Sequence, residues 1–437
     1  MLLTFVHWVI LNTLIICVRG FQLLKFRVWI SLLLFNLKFI SGVCLWWIYT
    51  FYYTKTEFND VHKFYRDALI LYEAASENPK VFLHLMIADN STAFSNPEYR
   101  YYLNRMRNWF RNFDEAPVNE NRIVIRSHAL LMFLSGKTYL VHVLWMCFIS
   151  YLGWLLFLTP ISKSATPSQN VFLLASMLMP SVLAWSSAVL KEPYLVLGMG
   201  LLINGMLSYG NSGIKLFKIL SGFLLLLYVK FYVLACIAPA ALAYSLFPKI
   251  SKPLLVMSKY ITVIAVTFFI LIVMAKYSKY DLFKILANKQ EHAIREAVYF
   301  EAKSIIKIKE IHGAEDVLMA APVGLWNAFT RPYLWESKKI IVWVSAIETF
   351  FILLFSLWLL YQIYMRQHKP DNTVIFLITV SLCYFTLIGI STPVLGNLVR
   401  YRSVMLPVWI SALVIWAQGF NISVSLTHAI MRVKNNV

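Results

Sequence analysis

Only 21 of the 437 residues are Asp or Glu, so the places where acids meet basic groups are where chemistry can be sought. One is the stretch Thr54-Lys55-Thr56-Glu57-Phe58-Asn59-Asp60-Val61-His62-Lys63-Phe64-Tyr65-Arg66-Asp67. Asp60 and Asp67 are seven apart, two helical turns, so a helix turns both carboxylates the same way. Such a pair suits a general base, or a base with a positioning group. It equally fits a solvated helix start with an acidic first turn. A second place is Pro180 to Pro193, where Lys191 and Glu192 fall between two apolar runs. Here a lysine can hold a phosphate as a point charge, or simply snorkel beside its counter-charge. Pro180 and Pro193 interrupt helix continuity, and Ser186 and Ser187 can bond the carbonyls so freed.

Further basic groups lie in apolar surroundings. Lys230 interrupts the apolar stretch 216–247, and Arg400-Tyr401-Arg402 follows the loop that begins at Ser391. Two arginines around a tyrosine can clamp a diphosphate bidentately, or anchor the chain at an interface. Arg331-Pro332-Tyr333-Leu334-Trp335-Glu336 precedes an apolar run that carries Glu348 about two turns inside it. An intramembrane carboxylate is functional by default and expects a basic partner. Arg331, Arg400 and Lys230 are the candidates. The run Ile123 to Leu131 is amphipathic and reads as an interfacial helix leading back to the bilayer. His128 within it is either a proton carrier or an interfacial histidine on the polar face.

These residues need a membrane frame. Apolar residues make up 59% of the chain and charged residues 14%, against about 25% charged in soluble domains. That excludes a water-soluble fold. The apolar residues gather in runs close to the roughly 20 residues that span a bilayer. Spans are expected at 3–18, 28–53, 139–159, 171–190, 193–208, 216–229, 231–247, 253–276, 341–364, 373–390 and 404–420, the first short enough to lie in the interface instead and the pair around Lys230 being a tight hairpin or a broken helix. The fold class is thus an all-α, polytopic transmembrane helical bundle of about 10–11 spans, one domain over 1–437. A helix is expected at 283–309, with Ile294, Val298, Ala302, Ile305 and Ile306 on its apolar side and Glu291 paired with Arg295.

Charge sets the expected orientation. One set of alternate loops carries thirteen basic residues (Arg19, Lys25, Arg27, Lys163, Lys215, Lys218, Lys249, Lys252, Lys259, Arg366, Lys369, Arg432, Lys434) against one acid, Asp371. The opposite side holds segments 54–138, with 11 basic and 10 acidic residues, and 277–340, with 10 and 8. Positive loops stay in the cytoplasm, so the two long segments are outer ones, the N-terminus lies outside and the C-terminus is cytoplasmic. Lys38 is expected to snorkel inward from the second span. Lys191, Lys230, Arg400 and Arg402 are then cations on the translocated side, against the insertion bias, and an anionic ligand there would explain them. The net charge of +19 accordingly speaks for membrane topology and not for nucleic acid. The five cysteines, all in apolar runs, read as small buried hydrophobes and not as disulfides or zinc ligands. There is no metal motif, no fixed-period repeat and no secretory cleavage site.

Together these pieces resemble the GT-C superfamily of polytopic glycosyltransferases and the related bacterial surface-polysaccharide polymerases. The likeness rests on the acidic first outer segment with Asp60 and Asp67, on Pro180-Ser181, Ser187 and Lys191-Glu192, on Arg331 to Glu336, and on Arg400-Tyr401 with Pro407. It implies an enzyme of the bacterial inner membrane whose partner is a sugar carried on a polyprenyl phosphate or diphosphate, itself a membrane lipid. Asp60 would be the base, with Asp67 as its rival, and Arg400, Lys191 and Lys230 would hold the phosphate. Many members carry paired acids in that segment, whereas here Asn59 precedes Asp60, which leaves open whether a divalent cation takes part. Two other classes fit the same features: a flippase or transporter of lipid-linked oligosaccharide or another anion, and a non-catalytic envelope scaffold.

Overall fold

The computed structural model describes residues 1–23, 25–52, 60–87, 96–109, 119–208, 210–246, 253–277, 281–299, 304–336, 340–418 and 431. Residues 54–59, Lys249, Lys252, Ala302, Arg432 and Lys434, used above, lie outside them. Among the described residues every regular element is a helix, with one isolated antiparallel bridge between Ile305 and Val394. In chain order the helices are α1 (Leu2–Cys17), α2 (Val28–Trp47, continued by a π turn to Tyr52), α3 (Asp60–Glu77), α4 (Pro79–Ile87), α5 (Pro97–Arg105), α6 (Glu120–Ser135), α7 (Tyr139–Ser164), α8 (Pro167–Met177) and α9 (Pro180–Trp185). Then come α10 (Glu192–Leu207), α11 (Ser212–Leu246), α12 (Pro253–Tyr277), α13 (Leu282–Tyr299), α14 (Ala314–Thr330), α15 (Ile340–Arg366), α16 (Asn372–Ser391) and α17 (Leu395–Ala417). Seven of these are long and apolar enough to cross a bilayer: α2 with its π turn, α7, α11, α12, α15, α16 and α17. The chain is an integral membrane protein of all-α, polytopic architecture. Helices α1 and α10 are apolar but shorter.

Local sequence explains where several helices begin. Thr166 and Gln169 form a reciprocal capping box at the start of α8, with Pro167 in the first helical position. The Asp371 carboxylate accepts from Val374 N at 2.7 Å and opens α16. Asn96 and Asn119 cap α5 and α6, and α6 stops at Gly136 in the left-handed region.

Three expectations change. The run 171–190 is not one span: α8 ends at Met177, α9 ends at Trp185, and Ser186 to Lys191 are buried without helical structure. Prolines 167 and 180 each start a helix there, which apolar continuity hides. Of the two forms expected around Lys230, the structure has the broken helix and not the hairpin: α11 is interrupted at Lys230 itself (φ −164°, ψ 84°). The last helix begins at Leu395, so Arg400 and Arg402 are helical residues and not loop residues. Finally, α13 ends at Tyr299, and residues 304–312 are not helical. Its buried residues are Phe283, Gln290 and Ala297, whereas Val298 and Ile305 are exposed. Gln290 displaces the expected apolar stripe because it ties main chain together, donating to the carbonyls of Lys309 and Ile390 and accepting from Ile311 N.

The described chain divides into two compact units. The first comprises Met1–Phe157, Leu183–Leu202 and Leu220–Phe231. Here α1 and α2 share a polar ladder: Trp8 Nε1 donates to Asn36, whose amide donates to Asn12. Helices α7 and α10 cross where Gly153 meets Gly200, and a Cβ on Gly200 would lie 2.1 Å from the Gly153 carbonyl oxygen. The second unit comprises Leu158–Val182, Ile203–Ile219 and Tyr232–Val437. It has a similar crossing of α14 on α16, where a Cβ on Gly389 would lie 1.9 Å from the Gly324 carbonyl oxygen. Small residues let membrane helices approach this closely, where van der Waals packing and not water exclusion holds them. An aromatic cluster of Phe329, Phe385 and Trp409 fills the space between α14, α16 and α17.

Candidate functional site: a buried charge cluster

The sequence candidates fall into two sets. Asp60, Asp67, Lys191, Glu192 and Lys230 belong to the first unit; Arg331, Glu336, Glu348, Arg400, Tyr401 and Arg402 belong to the second.

In the first unit, two interruptions of helical structure carry the charges. The buried stretch Ser186 to Lys191 delivers Lys191 to the start of α10, with Glu192 as that helix's first residue. Lys191 Nζ lies 2.9 Å from Glu120 Oε2, both side chains under a tenth exposed. Lys230, at the break in α11, lies 3.8 Å from Glu192 Oε1, and that glutamate side chain is fully buried. Non-helical backbone at membrane depth is tolerated only where protein or a water-filled cavity supplies its hydrogen bonds. Here that support is visible: Lys38 Nζ donates to Ser186 Oγ at 2.5 Å, and Cys147 Sγ donates to the Ser187 carbonyl at 3.6 Å. Lys38 therefore does not snorkel inward; it is buried, and it braces the interruption from α2. A buried charge without partners is expensive, so two Lys–Glu pairs meeting at two chain breaks are a built arrangement.

Helix α3 lies over this cluster. The Phe64 ring centroid is 5.7 Å from Lys191 Nζ. Asp60, at the head of the same helix, precedes Phe64 by four residues, so the two share a face about 6 Å apart along the axis. Its carboxylate is about a third exposed and is paired with Lys63. Asp67 has a different setting. It is buried and accepts from the main-chain amides of Arg107 at 3.2 Å and Asn108 at 2.7 Å, tying a distant loop to α3. Burial pushes its carboxyl above the usual carboxylate range, and the two amides pull the other way. Of the two aspartates, Asp60 is the one open to a reactant. Glu120 was not singled out in the sequence, because an acid at the first residue of a helix reads as an ordinary dipole partner.

In the second unit, Arg402 is buried and faces backbone. Its Nη1 donates to the carbonyls of Ala328 (3.1 Å) and Arg331 (2.8 Å), and its Nη2 donates to Thr349 Oγ1 (2.7 Å). It thus satisfies carbonyls that the C-terminus of α14 leaves unpaired. The Glu348 carboxylate accepts from Ser181 N at 3.0 Å, and the charge that acts on it is Arg402, not Arg331, Arg400 or Lys230 as the sequence suggested. Arg331 and Glu336 pair with each other, while Glu336 also accepts from Tyr333 N, so Arg331 to Glu336 closes on itself as a turn. Arg400 is buried, with its guanidinium 5.8 Å from the Tyr401 ring centroid.

All five cysteines are free; Cys147 and Cys236 are buried, while Cys17 and Cys44 lie on exposed faces of α1 and α2. Among the described residues, no group of three or more His, Cys, Asp or Glu is placed to hold a metal ion. With this geometry in hand, comparison with known proteins adds nothing further: the chain matches no protein-family model, no curated protein and no solved structure.

Proposed function

We propose that the protein is a membrane glycosyltransferase or polysaccharide polymerase that uses a sugar carried on a polyprenyl phosphate or diphosphate. One observation carries this reading: a half-open carboxylate, Asp60, stands on the same face of α3 as Phe64, whose ring covers the buried Lys191–Glu120 pair. Breaking the bond between sugar and phosphate leaves negative charge on the phosphate, and fixed cations lower that barrier. Lys191 and Lys230 supply them. Asp60 takes the proton of the attacking sugar hydroxyl. Glu120 and Glu192 hold the two lysines in place until a phosphate oxygen competes for them. In the orientation read from the loops, Asp60 works on the non-cytoplasmic face of a bacterial inner membrane.

The test compares strains carrying wild type, Asp60→Asn and Lys191→Ala at matched membrane abundance. Each variant is expected to lose one surface glycan while lipid-linked units accumulate. Retained glycan in both removes the enzyme reading. Orientation is tested by cysteines introduced at Lys63 and Arg122 after Cys17 and Cys44 are replaced. Labelling by a membrane-impermeant maleimide from the cytoplasmic side alone overturns it.

A second reading, a flippase or transporter of a lipid-linked anion, is favoured by the break at Lys230 inside an otherwise span-length helix. Interrupted helices with ion-binding ends are a transporter device. Transport that persists in Asp60→Asn while it fails in Lys230→Met selects this reading over the first.

A further inference from the structure

Two further histidines are buried in the first unit. His128 on α6 and His142 on α7 are both fully buried, with their Nδ1 atoms 2.9 Å apart. His142 Nε2 lies 2.9 Å from the Ser135 hydroxyl. Among the described residues, His128 Nε2 is buried without a hydrogen-bond partner. Two Nδ1 atoms at that separation must share one hydrogen, since two lone pairs or two N–H groups would repel. The pair is therefore directional: whichever ring carries the shared proton fixes the tautomer of the other.

The two ends of this chain of groups differ. Ser135, the last residue of α6, is itself buried, and the two residues that follow it, Gly136 and Lys137, are exposed. At the other end, the His128 ring lies 6.5 Å from that of Tyr194, whose hydroxyl bonds Ser127 at 2.6 Å. Tyr194 sits two residues after Glu192 in the first turn of α10. Glu120 is on the same helix as His128, eight residues earlier and on the same buried face. The row thus runs from the region of the charged pairs toward the exposed end of α6.

We propose that His128 and His142 form a proton relay that carries protons between the charged pocket and the exposed end of α6. This rests on the reading of that pocket as a site where a carboxylate collects a proton. One transfer balances as follows. A proton released at the charged pairs reaches His128 Nε2, the shared hydrogen passes from His128 Nδ1 to His142 Nδ1, and His142 Nε2 gives its hydrogen to the buried Ser135 Oγ, whose own hydrogen passes to water when the adjoining exposed turn at Gly136 and Lys137 opens. No net charge accumulates on the pair. Rotation of the rings, or transfer in reverse, resets the tautomers.

The titratable groups around the pair are consistent with neutral rings. From α3 come Tyr65, whose ring is 5.0 Å from that of His142, and His62, whose ring is tilted against that of Tyr139 of α7 at 5.0 Å. From α10 come Tyr194 and, in the same turn, Glu192, with Lys191 just before the helix, and from α6 come Glu120 and Arg126. From α1, His7 binds the Leu134 carbonyl and Trp145. Burial, followed by the neighbouring His142, holds His128 well below the usual imidazole range.

The test uses the full-length protein with 15N-labelled histidine in lipid nanodiscs. A scalar coupling between the two Nδ1 nuclei through the shared hydrogen is expected in wild type and is lost in His142→Phe. Exchange of the His128 Nε2 hydrogen with solvent is expected to slow by roughly tenfold or more in Ser135→Ala, which keeps both rings. Absence of the coupling in wild type overturns the pair; unchanged exchange in Ser135→Ala overturns the relay. Neither readout uses glycan formation, so failure of the pocket reading appears separately, as glycan retained in Asp60→Asn.

Discussion

The Glu120–Lys191 pair offers the sharpest test of the packing in the first unit. At 2.9 Å and an effective dielectric of about 20, the attraction between the two charges is about 6 kcal/mol. Desolvation of two ions takes back several kcal/mol. The net worth of the pair is therefore small, but removing one member strands the other, at about 3–5 kcal/mol. Lys191→Met should destabilise the protein by that amount, and Glu120→Leu by a similar one. The double variant should return to within about 1–2 kcal/mol of wild type, because apolar replacement of both charges is close to neutral. An exposed pair in the same chain serves as the control. Glu291 and Arg295 are 3.6 Å apart with side chains 63% and 70% exposed, so Glu291→Gln should change stability by less than about 1 kcal/mol. The measurement is reversible unfolding in mixed detergent micelles, followed by tryptophan fluorescence. A double-mutant coupling below about 0.5 kcal/mol, or a Lys191→Met protein as stable as wild type, refutes the reasoning.

Three further outcomes follow from the same geometry. Because the folded-state carboxyl of Asp67 titrates above its ordinary range, the folded protein binds the extra proton in the window just above the ordinary value. Asp67 should therefore contribute stability at acid pH that is lost as pH rises through the raised value, and Asp67→Asn should flatten melting temperature against pH across that window. Gly389→Ala places a methyl carbon 1.9 Å from the Gly324 carbonyl oxygen, and should cost about 1–3 kcal/mol or abolish folding, read as loss of the monodisperse peak in size-exclusion chromatography. Arg402→Lys keeps the charge but cannot bond the Ala328 and Arg331 carbonyls and Thr349 together. It should lower stability by about 2 kcal/mol, and Arg402→Lys melting with wild type would show the fork to be idle.

The long apolar helices were legible in the sequence because lipid imposes one rule, a long apolar run, on every span. α2, α7, α12, α15 and α16 lie close to where hydropathy puts them. Breaks were less legible. Residues 171–190 stay apolar straight through the turn at Ser186 to Lys191, and hydropathy carries no record of φ and ψ. Lys230 could be seen as an interruption, but its form, one residue out of helical geometry, depends on Glu192 from another helix. Lys191, Glu192 and Lys230 were found as charges out of place, whereas Glu120 was hidden by an innocent position at a helix start. Asp67 looked like a twin of Asp60 by spacing. What separates them is a loop about 40 residues away that only the fold brings to Asp67.

The Arg402 clamp has an evolutionary consequence. Its guanidinium reads mostly main-chain oxygens, and a carbonyl is the same group whatever side chain stands beside it. Related chains should therefore keep this arginine whatever constrains the side chains at 328 and 331, which the clamp itself does not read. Correlated substitution between α14 and α17 at these positions should then be weak although the contact is tight. Exchange at Thr349, where a side-chain hydroxyl is read, should instead be confined to serine.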